Sequence, residues 1–342
     1  MSREGGRRKT TIYDVAREAG ASSATVSMVL NGSWKQYRIK PETAERILDT
    51  AVRLDYNVNM LARGLRLSRS GLAGMIIPHY RNRFFASLAE TFEAAARRHG
   101  LCPIVVSTQR DRDNERGVVE ALLSQRVESV FIAGVHRPEP LNDLCRAHRI
   151  PCVNLDLPGE HAPSVVSDSR AGARELTEAI ITAMRSRGED AEALCFLGGR
   201  AGDYATDERV AGFNEALEGQ GIAVDEHRIH CCGYSPDAAR REAKRLVQAL
   251  GRLPPGLFIN SITALEGVIG LASELAEPIE DRVILGCFDW DPFAAALPYS
   301  ILMMRQNVEA MIEEAFVQVA RAGEPPYPFI KIPTTFEITS LS

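Results

Sequence analysis

The sequence predicts two fold classes in one chain: an N-terminal all-α headpiece built on a helix-turn-helix, then an α/β core of two doubly wound parallel sheets. Three observations carry this. Thr11 to Asn31, TIYDVAREAGASSATVSMVLN, shows helical spacing broken by one glycine turn. From Leu72 onward, short apolar runs alternate with amphipathic stretches in two successive series. The charge is also split: residues 1–70 hold 13 Lys/Arg against 7 Asp/Glu, whereas the remainder holds 27 against 38. A basic head on an acidic body suits phosphate contact at one end only, although the whole chain carries −5.

Residues 1–10 read as a flexible basic arm able to add nonspecific phosphate contacts. The headpiece spans 11–56. Thr11 and Asp14 have the spacing of a capping box, and Ile12, Val15, Ala16 and Ala19 then recur at helical intervals until Gly20 stops the helix. A second start at Ser22 turns Ala24, Val26, Val29 and Leu30 towards the first helix and leaves Ser23, Thr25, Ser27 and Met28 pointing away. Two short helices on such a turn form the shape that lays its second helix in a DNA major groove. After the loop Gly32 to Lys40, Pro41 suits the first position of a third helix, with Ile47, Leu48, Ala51, Val52 and Leu54 as its apolar face.

Residues 57–68 form a linker. Asn59 can cap a short helix running to Arg66 with Leu61, Ala62 and Leu65 on one side, but about two turns do not persist alone in water. Gly64 costs such a helix roughly 1 kcal/mol more relative to alanine.

The core spans 69–342. LAGMIIP (72–78), CPIVVST (102–108), SVFIAG (129–134) and CVNLD (152–156) read as buried strands, with helices near 84–99, 113–125 and 139–148 between them. ALCFLG (193–198), HRIHC (227–231), GLFIN (256–260) and VILGCFD (283–289) repeat the pattern with helices near 170–187, 207–219, 236–250 and 262–276. SILMM (300–304), a helix near 307–322 and FIKI (329–332) complete the sheets. Uninterrupted apolar runs of this length belong to parallel strands covered on both faces.

Other classes are disfavoured. No run approaches ~20 apolar residues and the N-terminus has no apolar segment, so neither a membrane span nor a secretory signal is expected and the cytoplasm is the expected compartment. The seven cysteines show no zinc or redox spacing, and no metal or cofactor is expected. GGRAG (198–202) resembles a glycine-rich phosphate turn but lacks the full G-x-G-x-x-G, which weakens an enzyme reading.

The run IYDVAREAG…TVSxVLNG, the Pro-Glu-Thr helix start at Pro41, and NxNMLARGLR at 57–66 together resemble the lactose-repressor (LacI) family. The resemblance covers essentially the whole chain and is strongest in the first 67 residues. It implies a homodimeric repressor of double-stranded operator DNA, with a periplasmic-binding-protein-like core of two lobes that takes a small sugar or sugar phosphate in the cleft. A corepressor-dependent or dual regulator of the same family is the alternative; a transport component would need an export signal and no headpiece. On this reading Ser23, Ala24 and Met28 face the bases, and Ser22, Thr25, Ser27, Asn31 and Thr11 meet phosphates. Asn59 and Leu65 act in the hinge, where Leu65 wedges between base steps. Many members carry arginine at position 28, so methionine there predicts weak direct base reading and more reliance on DNA shape.

Ligands of open α/β sheets bind outside the carboxyl ends of the strands. Those ends give Pro78 to Phe85, Asp156, Gly198 to Gly202, Asn260 and Asp289. The resemblance adds Arg209 and makes Asp156, Arg209, Asn260 and Asp289 effector-binding candidates, with Phe84 and Phe85 lining the cleft. KQYR (35–38), FLGGRAG…DERVAGF and GYSP (233–236) look most like fructose- and sucrose-responsive members, yet Leu157 stands where fructose-type members usually carry arginine.

Overall fold

A computed structural model describes residues 10–30, 32–56, 70–275, 282–321 and 323–339. The chain divides into two compact units, Met1–Ser70 and Gly71–Ser342.

In the first unit, α1 (Ile12–Glu18), α2 (Ser23–Leu30) and α3 (Pro41–Arg53) enclose a small core. Thr11 and Asp14 close the expected capping box, and Gly20 takes the left-handed conformation (φ +59°) that lets the chain turn into α2. Val15, Ala16, Ala19, Val26, Val29, Ala44, Ile47 and Ala51 are buried, and Trp34 and Ile39 from the following loop pack on them. Arg46 donates to the Ala19 carbonyl at the end of α1 (3.1 Å), tying the third helix to the turn. Two expectations fail. Ala24 is exposed rather than facing α1, because Val26 and Val29 fill that interface. Leu48 and Val52 are also exposed (44% and 82%), since Ala44, Ile47 and Ala51 form the inner stripe of α3.

The second unit holds two six-stranded sheets. In lobe 1 these are β1 (Leu72–Ile77), β2 (Cys102–Ser107), β3 (Ser129–Ala133), β4 (Cys152–Leu155) and β5 (Ser164–Ser167), with α4 (Arg83–Arg98), α5 (Arg112–Ser124) and α6 (Glu139–Ala147) between them. Lobe 2 follows with α7 (Ser169–Ser186), β6 (Leu194–Leu197), α8 (Tyr204–Gly219), β7 (Ile229–His230), α9 (Pro236–Leu250), β8 (Gly256–Ile259), α10 (Ile262–Ala272), β9 (Ile284–Phe288) and β10 (Ile301–Arg305). The chain then returns to lobe 1 for α11 (Val308–Arg321) and β11 (Phe329–Ile332), and ends in lobe 2 as β12 (Thr335–Thr339). The strand orders are β11-β5-β4-β3-β1-β2 and β12-β10-β9-β8-β6-β7.

Strand residues alternate between two cores. Phe131 and Ala133 of β3 join one cluster while Val130 and Ile132 join the other; Leu257 and Phe258 of β8 divide in the same way. Burial on both faces is why these segments read as continuous apolar runs. The sheets are not wholly parallel: β12 pairs antiparallel with β10 at the edge of lobe 2. β5 and β12 lie outside the expected strands, and HRIHC yields only the two-residue β7.

The chain crosses between the lobes three times: after β5, after β10 and after β11. A side-chain tie lies beside the crossings. Glu208 of α8 accepts from Lys331 of β11 in the other lobe (2.8 Å) and from Arg170 of α7 (2.8 Å). No described helix is long and apolar enough to cross a membrane.

Candidate functional site: a polar cleft between two lobes, and a helix-turn-helix surface

The carboxyl ends of the strands in both lobes face one narrow cavity of about 20 Å³, room for little more than one water in this conformation. Its walls include Phe84, Phe85, Arg110, Asp156 and Leu157 from lobe 1, and Asp203, Arg209, Tyr234, Ser261 and Asp289 from lobe 2, with Gln306 from the second crossing. Asp156 and Asp289 each stand one residue beyond a strand, with φ of 70° and 89°. Left-handed backbone at a residue other than glycine costs about 1–3 kcal/mol and concentrates at functional sites. Here it turns both aspartates at the strand ends, where the cavity lies.

Arg209 is the central cation. It is 3% exposed, its Nη1 donates to the Asn260 carbonyl (2.6 Å), and its guanidinium lies 3.8 Å from the centre of the Phe288 ring. Burial pushes the Asp156 carboxyl up to about 6, against the opposing pull of Arg209 and Arg110. Burial also raises Asp289, opposed by Arg209, by Gln306 donating to Oδ1 (2.5 Å) and by the Ile262 N–H on Oδ2 (3.4 Å). Gln306 is fixed in turn by the Ser167 hydroxyl on its Oε1 (2.5 Å), so the two lobes meet through an unbroken polar chain. Across the cavity, the Tyr234 hydroxyl pairs with Thr206 (2.7 Å), and Arg110 lies 5.5 Å from the centre of the Tyr234 ring.

Asn260 sits behind the wall. It is fully buried, and neither polar atom of its side chain has a hydrogen-bond partner among the described residues. Gly199 (φ +75°) closes the space beside it: an added Cβ would lie 2.6 Å from Asn260 Nδ2 and 2.6 Å from Thr206 Oγ1. The GGRAG turn spends its donors inside the protein. Gly198 N–H goes to His230 O, Gly199 to Gly233 O, Arg200 to Thr206 Oγ1 and Gly202 to Asp207 Oδ1. Those N–H groups are therefore not free to cradle a phosphate.

The cavity thus gathers Phe84, Phe85, Asp156, Arg209 and Asp289, with Asn260 one layer back. Arg110, Asp203, Tyr234 and Gln306 were not expected there. Arg110 lies three residues past β2, beyond the strand's own apolar run, and Gln306 lies on a crossing rather than on a strand end. Tyr234 falls within GYSP, noticed only as a pattern.

On the headpiece, Thr11, Ser22 and Ala24 are exposed, and Ser23, Thr25, Ser27 and Met28 are half-buried. Ser22 opens α2: its hydroxyl accepts from Thr25 N–H (3.1 Å) and pairs with the Thr25 hydroxyl (2.8 Å). These hydroxyls stand at the positive end of the helix, where phosphate is favoured. Tyr13, 73% exposed in the first turn of α1, is a further candidate that apolar spacing did not reveal. Asn31, Asn59 and Leu65 lie outside the described residues.

Comparison with known proteins gives two family matches. Residues 11–59 match "Bacterial regulatory proteins, lacI family", and residues 70–274 match "Periplasmic binding proteins and sugar binding domain of LacI family". The chain is 45% identical over 194 residues to the ribitol operon repressor of Klebsiella aerogenes, a match covering 56% of this chain and 72% of that one. It is 28% identical over 337 residues to the sucrose operon repressor of Klebsiella pneumoniae, covering 97% and 98%. Among solved structures, the Cra transcriptional dual regulator of Pseudomonas putida, in complex with fructose 1-phosphate, superposes with a TM-score of 0.67 at 25% identity, covering 78% of this chain and 98% of that one.

Proposed function

Because the chain belongs to the LacI family of DNA-binding repressors with a sugar-binding domain, we propose that its effector is an uncharged pentitol or the ketose derived from it, and that its operator controls the use of that compound. The balance of charge in the cavity carries this reading. Three carboxylates, Asp156, Asp203 and Asp289, surround the cavity against two guanidinium groups, Arg110 and Arg209. Carboxyl groups accept from neighbouring hydroxyls and guanidiniums donate to them, so a polyol satisfies both, whereas a phosphate would meet more acidic groups than cations. Leu157, buried in the wall, supplies no anion contact. The likeness to the ribitol operon repressor supports the same choice, and the fructose-type effector expected from motifs is the competing reading.

On the DNA side, Ser23, Ala24 and Met28 meet base edges, Thr11, Ser22, Thr25, Ser27 and Asn31 meet phosphates, and Asn59 and Leu65 act in the minor groove. The protein works in the cytoplasm as a homodimer, since a two-fold operator needs two headpieces. A compact polyol entering so narrow a cavity parts the lobes, and the effector acts as an inducer. On this reading the protein acts by binding and not by catalysis, a reading supported by its likeness to the ribitol and sucrose operon repressors.

Thermal unfolding with ribitol, its 2-ketose, sucrose and fructose 1-phosphate tests the effector, because a ligand at 100 times its Kd adds about 2.7 kcal/mol. Stabilisation by the ribitol pair, with release of operator DNA in a gel shift, is the expected result. Stabilisation by fructose 1-phosphate alone would sink the proposal.

A further inference from the structure

Asp203 is the cavity carboxylate whose bonding the local fold does not explain. It stands immediately before α8, where an aspartate ordinarily caps the helix; Asp111 and Asp168 do so for α5 and α7. The Asp203 side chain makes no cap bond. The residue is 2% exposed, and its Oδ1 lies 3.1 Å from Nδ1 of His136 in lobe 1, just past the end of β3. Its Oδ2 is buried with no hydrogen-bond partner among the described residues. A buried carboxylate oxygen without a donor is unfavourable, and such groups are rarely left unpaired. Because Asp203 lines the cavity, a hydroxyl of a bound polyol is the donor that the geometry accommodates.

We propose that His136 is a positioning residue of the effector site: reaching across the cleft, it holds one oxygen of Asp203 and leaves the other for an effector hydroxyl. The proposal deepens the pentitol reading and rests on it. An exposed polar contact would contribute little, but here one partner is almost wholly buried and the two belong to different lobes. His136 is 44% exposed in its side chain, so its replacement leaves the packed core intact. Asp203 shares the cavity with Asp156, Asp289, Arg110, Arg209 and Tyr234, and its orientation decides which face it offers them.

The test uses the full chain and two readouts. Titration calorimetry with ribitol and its 2-ketose should show His136→Ala weakening binding about 10-fold. His136→Asn, which returns a donor near the Nδ1 position, should recover most of the loss. Asp203→Asn should weaken binding more, and His136→Ala should add nothing to it, because the histidine acts through that carboxylate. Fully additive losses, or a change below about twofold for His136→Ala, would overturn the proposal. Amide hydrogen exchange over 203–207 without effector should rise in His136→Ala and return in His136→Asn. Unchanged exchange would also overturn it. If the wild-type chain binds neither compound, the pentitol reading fails alone, and the exchange arm still judges the His136–Asp203 contact.

Discussion

In the headpiece, the groups proposed to meet DNA sit outside a small apolar core: Ser22, just before α2, and Ala24 on it are exposed, while Val26 and Val29 hold the helix from behind. In the core unit the order is reversed. Arg209, Asp203 and Asp289 are buried, and Asn260 is fully enclosed with its side-chain amide unpaired among the described residues. A surface reader can change its side chains at little cost in stability, since surface substitutions usually fall within about 0.5 kcal/mol. An interior reader cannot, because each polar group taken out of water must be repaid by a partner or by the ligand. The two units therefore differ in how tightly recognition and folding are coupled.

The largest break in that contrast is Arg209→Met. Removing the guanidinium takes away the positive charge that opposes the desolvation of half-buried Asp156 and buried Asp289 and leaves the Asn260 carbonyl without its donor, a loss of about 3 kcal/mol in denaturant unfolding at neutral pH. Effector affinity should fall more than about 100-fold, because one substitution removes both the donor and the neutralising charge. Undiminished effector affinity would show that Arg209 faces the protein and not the ligand.

Asp156→Asn should act oppositely on stability. The folded carboxyl holds its proton up to about 6 rather than the ordinary 3.8, so the wild-type chain loses stability as pH rises through that window. The asparagine variant lacks the loss. It should be about 2 kcal/mol more stable than wild type above pH 7, allowing for solvent at the cavity edge, and should bind the effector less tightly. Parallel melting curves for the two proteins from pH 4 to 8 would show that this carboxyl ionises without cost.

The smallest effect on folding is expected in the headpiece. Met28→Arg should change the preferred operator bases, because arginine can reach guanine with two hydrogen bonds, and should shift stability by less than about 0.5 kcal/mol. Selection from a randomised operator library would read this; an unaltered preference would mean that position 28 does not face the groove.

The same contrast governs what was legible in the sequence. Runs covered on both faces, such as MII in β1 and LFI in β8, announce themselves, because no polar residue is tolerated there. β5 is only SVVS, flanked by Pro163, and β12 alternates polar and apolar residues as TFEIT at an edge; neither resembles a buried run. Leu48 and Val52 fit a helical stripe equally well whether covered or exposed, so spacing alone misplaced them. Asp156 and Asp289 could be found because a rule of topology points to strand ends. Tyr234 and Gln306 reach the cavity through a loop and a crossing, whose paths are set by long-range packing that no local pattern records.

Within α8, neighbouring residues face different tasks: Arg209 meets the cavity, and Glu208 is bonded to Lys331 of the opposite lobe. Successive residues on a helix point about 100° apart, so one rigid turn carries both a cavity-lining group and a joint between the lobes. Retuning this repressor to a new inducer by altering that turn would change how firmly the lobes are held as well as what they hold. Variants selected for a new sugar should therefore often arrive with altered leakiness, and a biosensor built on this scaffold would need its ligand preference and its dynamic range selected together.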